Sequence, residues 1–446
     1  MRNLLRYFIV ILFLWPSYSQ VFASENQTYT RSSLVARAVG GSPIVAAAEA
    51  EMDVFEAKLR YADRWWIPRL QFSSIASALP KEWGNALEGG TDFSEWGPLT
   101  QNQLTVGMAL YTFGKVQSLK EMAKAGIDIS EAKRDLARKS VEAYVDKALT
   151  AVLFARELLV LLEDGRVKVQ RARTRLEALE EQDSDDYDPT DMQRLKIVEG
   201  ELEERRLDAL ALEDKGLIGL RLLCGLEPSD PVRVASKLKN YAPKVSESEE
   251  ASLVLARSHR IELKAIAFAL KAGDAAAAYA KSTLLPNLML GGFARYAFAP
   301  SADDQASPFA YDPYNIFTGG AGLMLKWNLD VPKSLMLMDE ADARKRQLLA
   351  QQMTLYGLVE LDVRNAWKRM ERSEQMRRWT RKGTKAARGW LTAKADLFDA
   401  GLAQYGDVSK AVKAYYERRF KEISSYYEDA LARVSLANAI GISFEE

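Results

Sequence analysis

Residues 145–179 read VDKALTAVLFARELLVLLEDGRVKVQRARTRLEAL. Val145, Ala148, Val152, Ala155, Leu159 and Leu162, then Val169, Ala172, Leu176 and Leu179, recur mostly three and four positions apart, the period of one helix face. The opposite face is charged. The stretch sits inside a run with no proline between Gly114 and Pro189. Continuous helix from Gly114 to Gln182 would form a rod of about 100 Å at ~1.5 Å per residue. Such a rod cannot bury its apolar stripe in a core of its own and needs companions of matching length.

Working outward, the chain supplies a second rod. Pro332 is the last proline, and the residues from there to Ala400 again read as long amphipathic helix. Between and before the rods lie four alternating segments. After a helix expected over residues 32–66, Trp65-Trp66-Ile67-Pro68 stops the helical period, because proline removes a donor and disfavours helix in the residue before it. Leu70, Phe72, Ala76 and Ala78 then alternate with Arg69, Gln71, Ser73 and Ser77, a strand over 69–79 with Ser74 interrupting its apolar face. Residues 80–101 read as a loop, from Pro80, Gly84, Gly89-Gly90 and Pro98. A second strand, 102–113, sets Leu104, Val106, Met108 and Leu110 against Gln103, Thr105, Gly107 and Ala109.

The order then repeats. A return helix from Pro189 ends at Gly225, residues 226–250 read as a linker, and a helix over 249–283 closes at Leu284-Leu285-Pro286. A strand over 287–298 carries Leu288, Leu290, Ala294, Tyr296 and Phe298 on one face. Another over 317–329 carries Ala321, Leu323, Leu325, Trp327 and Leu329 opposite Gly320, Gly322, Lys326 and Asn328. Phe113 and Leu329, Asp191 and Asp407, and Gly225 and Gly441 are each 216 positions apart, so the chain reads as a duplicated unit: 24–225, then 251–446. Pro68 and Pro286 mark the helix-to-strand switch in each copy.

Composition narrows the classes of function. Lys plus Arg and Asp plus Glu both number 61, a balance that argues against nucleic acid as a partner. Residues 1–23 read as a secretory signal peptide: Arg2 and Arg6, the apolar Tyr7 to Trp15, and Val21-Phe22-Ala23 ahead of Ser24. Pro16 and the short apolar run argue against an uncleaved anchor, and no cysteine near the cleavage site indicates acylation. Cys224 is the single cysteine, set among leucines as a small apolar side chain, and His259 is the single histidine. Without a phosphate-binding glycine loop, a His/Cys ligand cluster or a nucleophile elbow, the sequence predicts no enzyme and no cofactor. After residue 23 no apolar run is long enough for a membrane helix, so strands of about 10 residues would have to carry any membrane span.

Arg260-Ile261-Glu262-Leu263-Lys264-Ala265, Leu284-Leu285-Pro286-Asn287-Leu288, Trp327-Asn328-Leu329-Asp330, and Ala400-Gly401-Leu402-Ala403 followed by Asp407-Val408 resemble, in order and spacing, short motifs of the TolC-like outer-membrane efflux proteins. The resemblance covers essentially the whole mature chain. It implies a mainly helical protein with a membrane β-barrel portion: a homotrimer whose four strands per chain make one twelve-stranded barrel, continued into the periplasm by a helical tunnel. It also implies a passive exit duct for efflux or type I secretion, working with a periplasmic adaptor and an inner-membrane pump. Independently, four strands cannot close a barrel in outer-membrane lipid without leaving backbone groups unsatisfied at the edges.

The hairpin ends are the expected sites of control. Asp183, Asp185, Asp186, Asp188 and Asp191 crowd one turn; a trimer would arrange them as an acidic ring, while Asp188-Pro189-Thr190-Asp191 equally reads as a helix start. In the second copy Asp407 matches a gate aspartate of the family, but Lys410 stands where a second aspartate is common, and the two are spaced to pair on a helix. Gly401, Leu402, Ala403 and Gly406 form a tight turn suited to docking a partner backbone. A soluble periplasmic coiled-coil scaffold or adaptor is the alternative, and dependence on detergent separates the two.

Overall fold

Helix start signals and prolines decide where the elements of this chain begin and end. The computed structural model describes residues 28–84, 88–182, 187–234, 237–238, 241, 245–305, 311–400, 402–403 and 405–443; the expected signal peptide lies outside them. The elements in order are β1 (Thr28–Tyr29), α1 (Arg31–Gly40), α2 (Pro43–Asp63), β2 (Arg69–Gly84), β3 (Gly89–Tyr111), α3 (Lys115–Glu181), α4 (Pro189–Cys224), β4 (Arg233–Val234), α5 (Glu249–His259), α6 (Ile261–Ser282), β5 (Asn287–Phe298), β6 (Ile316–Lys326), α7 (Val331–Asp399) and α8 (Tyr405–Ile440). The two rods are single helices of 67 and 69 residues. No described helix is long and apolar enough to cross a membrane.

The chain divides into two compact units, one with residues up to Gly41 and Val145–Tyr241, the other with Ser42–Tyr144 and Ala242–Glu445. In the first, the apolar stripe of α3 is the core: Val145, Leu149, Val152, Leu153, Ala155, Leu158 and Leu162 are buried, with Leu34 from α1 and Leu220 and Cys224 from α4. Gly216 lets α4 approach closely, since a Cβ there would stand 2.6 Å from Val152 Cγ2. Gly225 ends α4 in the left-handed conformation, with φ 60°, which glycine adopts without a Cβ clash. The stretch expected as a linker takes part in this unit: β4 pairs in parallel with β1, and Val232, Leu238 and Tyr241 are buried.

A buried polar knot sits in the same core. The Asp146 carboxylate accepts from Arg31 Nε at 2.8 Å, from Arg31 Nη2 at 3.0 Å and from the Tyr241 hydroxyl at 2.7 Å. Burial and the Asp146 charge both push the Tyr241 hydroxyl far above its ordinary value. The arrangement ties the start of the chain and the 226–250 stretch to α3.

The second unit holds the four-stranded sheet, antiparallel throughout, in the order β2-β3-β5-β6. Among the described residues, no further strand pairs with its outer strands, β2 and β6. The helices of this unit close on a core of Leu263 from α6, Val359, Val363 and Met370 from α7, and Leu436 and Ile440 from α8. Along α7 and α8 this apolar packing passes into polar pairs: Ser373 donates to Asp429 at 3.1 Å, Thr380 bonds Ser425 at 2.9 Å, and Thr384 donates to the Arg418 carbonyl at 3.0 Å. Asp429 is buried and is met by Arg377 at 3.0 Å and Arg433 at 3.1 Å.

Several expected boundaries move. The helix expected over 32–66 breaks at Gly41-Ser42, where α2 restarts with Pro43 in its first turn, and the helix expected over 249–283 breaks at Arg260, whose extended backbone ends α5 and starts α6. The 80–101 loop is strand: β2 and β3 continue past a register shift between Pro80 and Lys81 as far as Gly84 opposite Gly89. This extension is held by polar cross-strand groups, with Lys81 to Glu95 at 2.7 Å and Thr91 to Glu82 at 3.0 Å, so it carries no apolar alternation to read. At the other end β3 stops at Tyr111 and not 113, because Phe113 takes a left-handed φ of 49° and Gly114 follows at 91°. β6 stops at Lys326 and not 329: Trp327 turns away to donate to the Leu284 carbonyl at 3.0 Å, and Asp330 caps α7 through Lys333 N at 3.1 Å.

Candidate functional site

Two regions carry the candidate functional residues: the two faces of the sheet and the ends of the long helical hairpins. Pro68 and Pro286 fix the start of the sheet in each half, standing just before β2 and β5. From there the pleat sorts the side chains. Pairing of Leu70 with Val106, Phe72 with Leu104, Leu104 with Ala294, Met108 with Leu290, and Leu290 with Leu323 puts these residues on one face. That face is apolar and uncovered. Leu70 and Leu323 are each 70% exposed, and Phe72, Phe317 and Leu325 are exposed with them. Ser74 pairs with Asn102 on the same face, a polar interruption flanked by Tyr296.

The opposite face carries the polar and cationic side chains, interspersed with Ile75, Phe293 and Met324. Ser73 pairs with Gln103, Gln103 with Arg295, and Arg295 with Thr318, a row that crosses all four strands. Arg69 starts another row, followed by Gly107, Gly291 and Gly322, and Lys326 lies opposite Asn287. Gln103 and Thr105, expected to face away from the apolar side, stand on this face. Arg295 was not singled out from the sequence, because only the apolar half of the third strand's alternation gave a pattern.

At the first hairpin end, Asp183, Asp185 and Asp186 lie outside the described residues. Asp188 is the N-cap of α4: its Oδ1 accepts from Thr190 N at 2.8 Å, and hydrogen bonds from the Thr190 side chain and backbone hold its carboxyl below the ordinary aspartate value. Asp191 in the first turn accepts from Arg194 Nη1 at 3.0 Å. These two described acids therefore serve the start of the helix, whatever else they do.

At the second hairpin end Gly401 lies outside the described residues. Leu402 is exposed, and its N–H returns to the Leu397 carbonyl at 2.8 Å, closing the end of α7. Ala403 is half-buried, and a Cβ on Gly406 would meet nothing within 4 Å. Asp407 does not take Lys410 as its ion-pair partner. Lys394, thirteen residues earlier on α7, reaches its Oδ2 at 2.9 Å, and that hydrogen bond and charge hold the Asp407 carboxyl below its ordinary value, with only a small further pull from Lys410. The pair bridges α7 and α8 across the turn. No cluster of His, Cys, Asp or Glu among the described residues could hold a metal ion.

With this geometry in place, the chain can be set beside known proteins. The sequence pattern of the family described as Outer membrane efflux protein matches residues 34–182 and 252–442, well over half of the chain. No curated protein sequence matches. Among solved structures, the open-state MtrE outer membrane channel of Neisseria gonorrhoeae is similar at a TM-score of 0.73 and 17% identity, covering 92% of this chain and 89% of that one. The CmeC outer membrane channel of Campylobacter jejuni gives 0.70 and 13%, covering 95% and 91%. The outer membrane protein VceC of Vibrio cholerae gives 0.69 and 17%, covering 93% and 97%. At these identities the likeness is one of fold.

Proposed function

This chain belongs to the outer membrane efflux protein family, and from that premise we propose that it is the passive exit duct of a tripartite efflux or type I secretion system. Three copies join edge to edge, β6 of one against β2 of the next, into a twelve-stranded barrel. The carrying observation is the sheet: four strands, two open edges, and one face of exposed leucines and aromatics. In lipid an open edge leaves backbone N–H and C=O groups without partners at several kcal/mol each, so only closure by further copies satisfies it. The apolar face then meets lipid and the polar face lines water.

The helical portion extends into the periplasm. Residues 24–225 and 251–446 act as two repeats of one unit, each contributing a strand pair to the barrel and a long hairpin to the tunnel. The hairpin ends dock onto a periplasmic adaptor and, through it, an inner-membrane pump that supplies the energy. Gly401, Leu402, Ala403 and Gly406 offer the docking turn. The acids from Asp183 to Asp188 favour cations at the entrance, while Asp191 and Asp407 are paired with Arg194 and Lys394. A soluble scaffold fits poorly with so large an uncovered apolar face.

Fractionation followed by electrophoresis with and without boiling tests the reading. A species in the outer-membrane fraction that runs as a trimer unboiled and as a monomer boiled is expected. A monomer free in the periplasm overturns it.

A further inference from the structure

The polar face of the sheet carries a one-sided charge. Its rows on β2, β3, β5 and β6, over 69–77, 101–109, 287–297 and 316–326, contain Arg69, Arg295 and Lys326 and no aspartate or glutamate. Over these spans, a chain with balanced total charge has placed only cations on the surface that would face the lumen. Arg69 is held at the helix end of the sheet, where Nη2 donates to the Tyr61 hydroxyl at 2.9 Å and the guanidinium lies 4.4 Å from the Trp65 ring. Arg295 stands further up the strand.

Nothing acidic neutralises Arg295 among its described partners. The Gln101 amide oxygen, in the orientation that satisfies both groups, accepts from Nη2 at 2.7 Å and from Nε at 2.8 Å. Beyond it the guanidinium reaches the Tyr311 hydroxyl and the Pro313 carbonyl, both at 3.4 Å. These neutral acceptors orient the group and leave its charge whole. The loop acids Asp312, which accepts backbone N–H groups of Gln305, Tyr314 and Asn315, and Asp303, which accepts from Gly84 N, form no ion pair with Arg295 among the described residues.

We propose that the membrane pore of this duct selects for anionic solutes, with Arg295 and Lys326 as its selectivity residues. The inference rests on the trimeric duct reading, under which each becomes a threefold ring. A ring of fixed cations in a low-dielectric wall raises the local concentration of anions and lowers that of cations.

The test is the reversal potential of single channels of the full-length protein in planar bilayers under a potassium chloride gradient. Arg295→Gln and Lys326→Gln are compared with wild type and with Arg295→Lys, so that the unchanged tip acids cancel. Both glutamine variants are expected to lower the chloride-to-potassium permeability ratio, Arg295→Lys to keep it, and the effect to shrink between about 0.1 M and about 1 M salt as the Debye length falls from ~10 to ~3 Å. Conducting trimers whose ratio is the same in both glutamine variants as in wild type overturn the inference and leave the duct intact. Absence of any wild-type conductance overturns the duct reading, and the inference with it.

Discussion

Asp146 shows how much one residue can carry. Charged residues on an amphipathic rod read as solvated, yet Asp146 is 1% exposed and accepts three hydrogen bonds from Arg31 and Tyr241. Asp146→Ala strands the Arg31 guanidinium in the core, and breaking one side of a buried pair costs about 3–5 kcal/mol. The unfolding free energy is expected to fall by that margin, measured against Asp164→Ala on the exposed surface of the same helix; equal unfolding free energies for the two variants would contradict the account. The Lys394–Asp407 pair makes a second claim at this scale. The Asp407 carboxyl is held below its ordinary value, so the stabilisation is complete above about 3.9 and is lost as pH falls through the depressed value. Lys394→Gln should therefore raise the Asp407 titration midpoint followed by carboxyl carbon chemical shifts. No change on removing Lys394 would mean that the pair is not formed in solution.

Among the elements, much was legible because single residues have single physical effects. Pro68 and Pro286 end helix before strand wherever they stand, and Asp188-Pro189 announces α4 through a cap and a fixed φ. Legibility failed where tertiary partners replace local pattern. The outer part of the β2–β3 hairpin is held by Lys81 with Glu95 and Thr91 with Glu82, pairs that no alternation reveals. The breaks at Gly41-Ser42 and Arg260 interrupt helices whose apolar period continues across them. On the candidate site, the apolar sheet face was readable residue by residue, whereas the cationic face needed the β3–β5 register to bring Gln103 beside Arg295. Lys394 as the partner of Asp407 was out of reach of the sequence because the pair crosses a turn between two helices. The α7–α8 packing carries its own prediction: Leu436 is fully buried in the helical core, and Leu436→Ala should lower stability by about 2–5 kcal/mol. The polar ladder of Thr380 with Ser425 and Ser373 with Asp429, further along the same helices, has little apolar area to lose. Thermal denaturation showing Leu436→Ala as stable as Thr380→Ala would refute that division of α7–α8 into an apolar and a polar zone.

For the whole molecule, the family places the protein in the outer membrane, and the open edges of the sheet are what the proposed trimer would close. Two features that look like defects in an isolated chain, bare strand edges and a bare apolar face, would be resolved together by the proposed threefold repetition around a pore. Within the sheet, Arg69, Arg295 and Lys326 stand on one face and the leucine-rich face opposite carries no charged residue over 69–79, 98–110, 288–298 and 317–325. The central claim is the seam between β6 of one copy and β2 of the next. Cysteines placed in pairs along the two edges, one on β2 between Arg69 and Ser77 and one on β6 between Ile316 and Lys326, in a Cys224→Ser background, test it by oxidative cross-linking in isolated outer membranes. The account predicts that pairs in one register give covalent dimers and trimers while pairs out of register give none. Monomer alone across every register would contradict it.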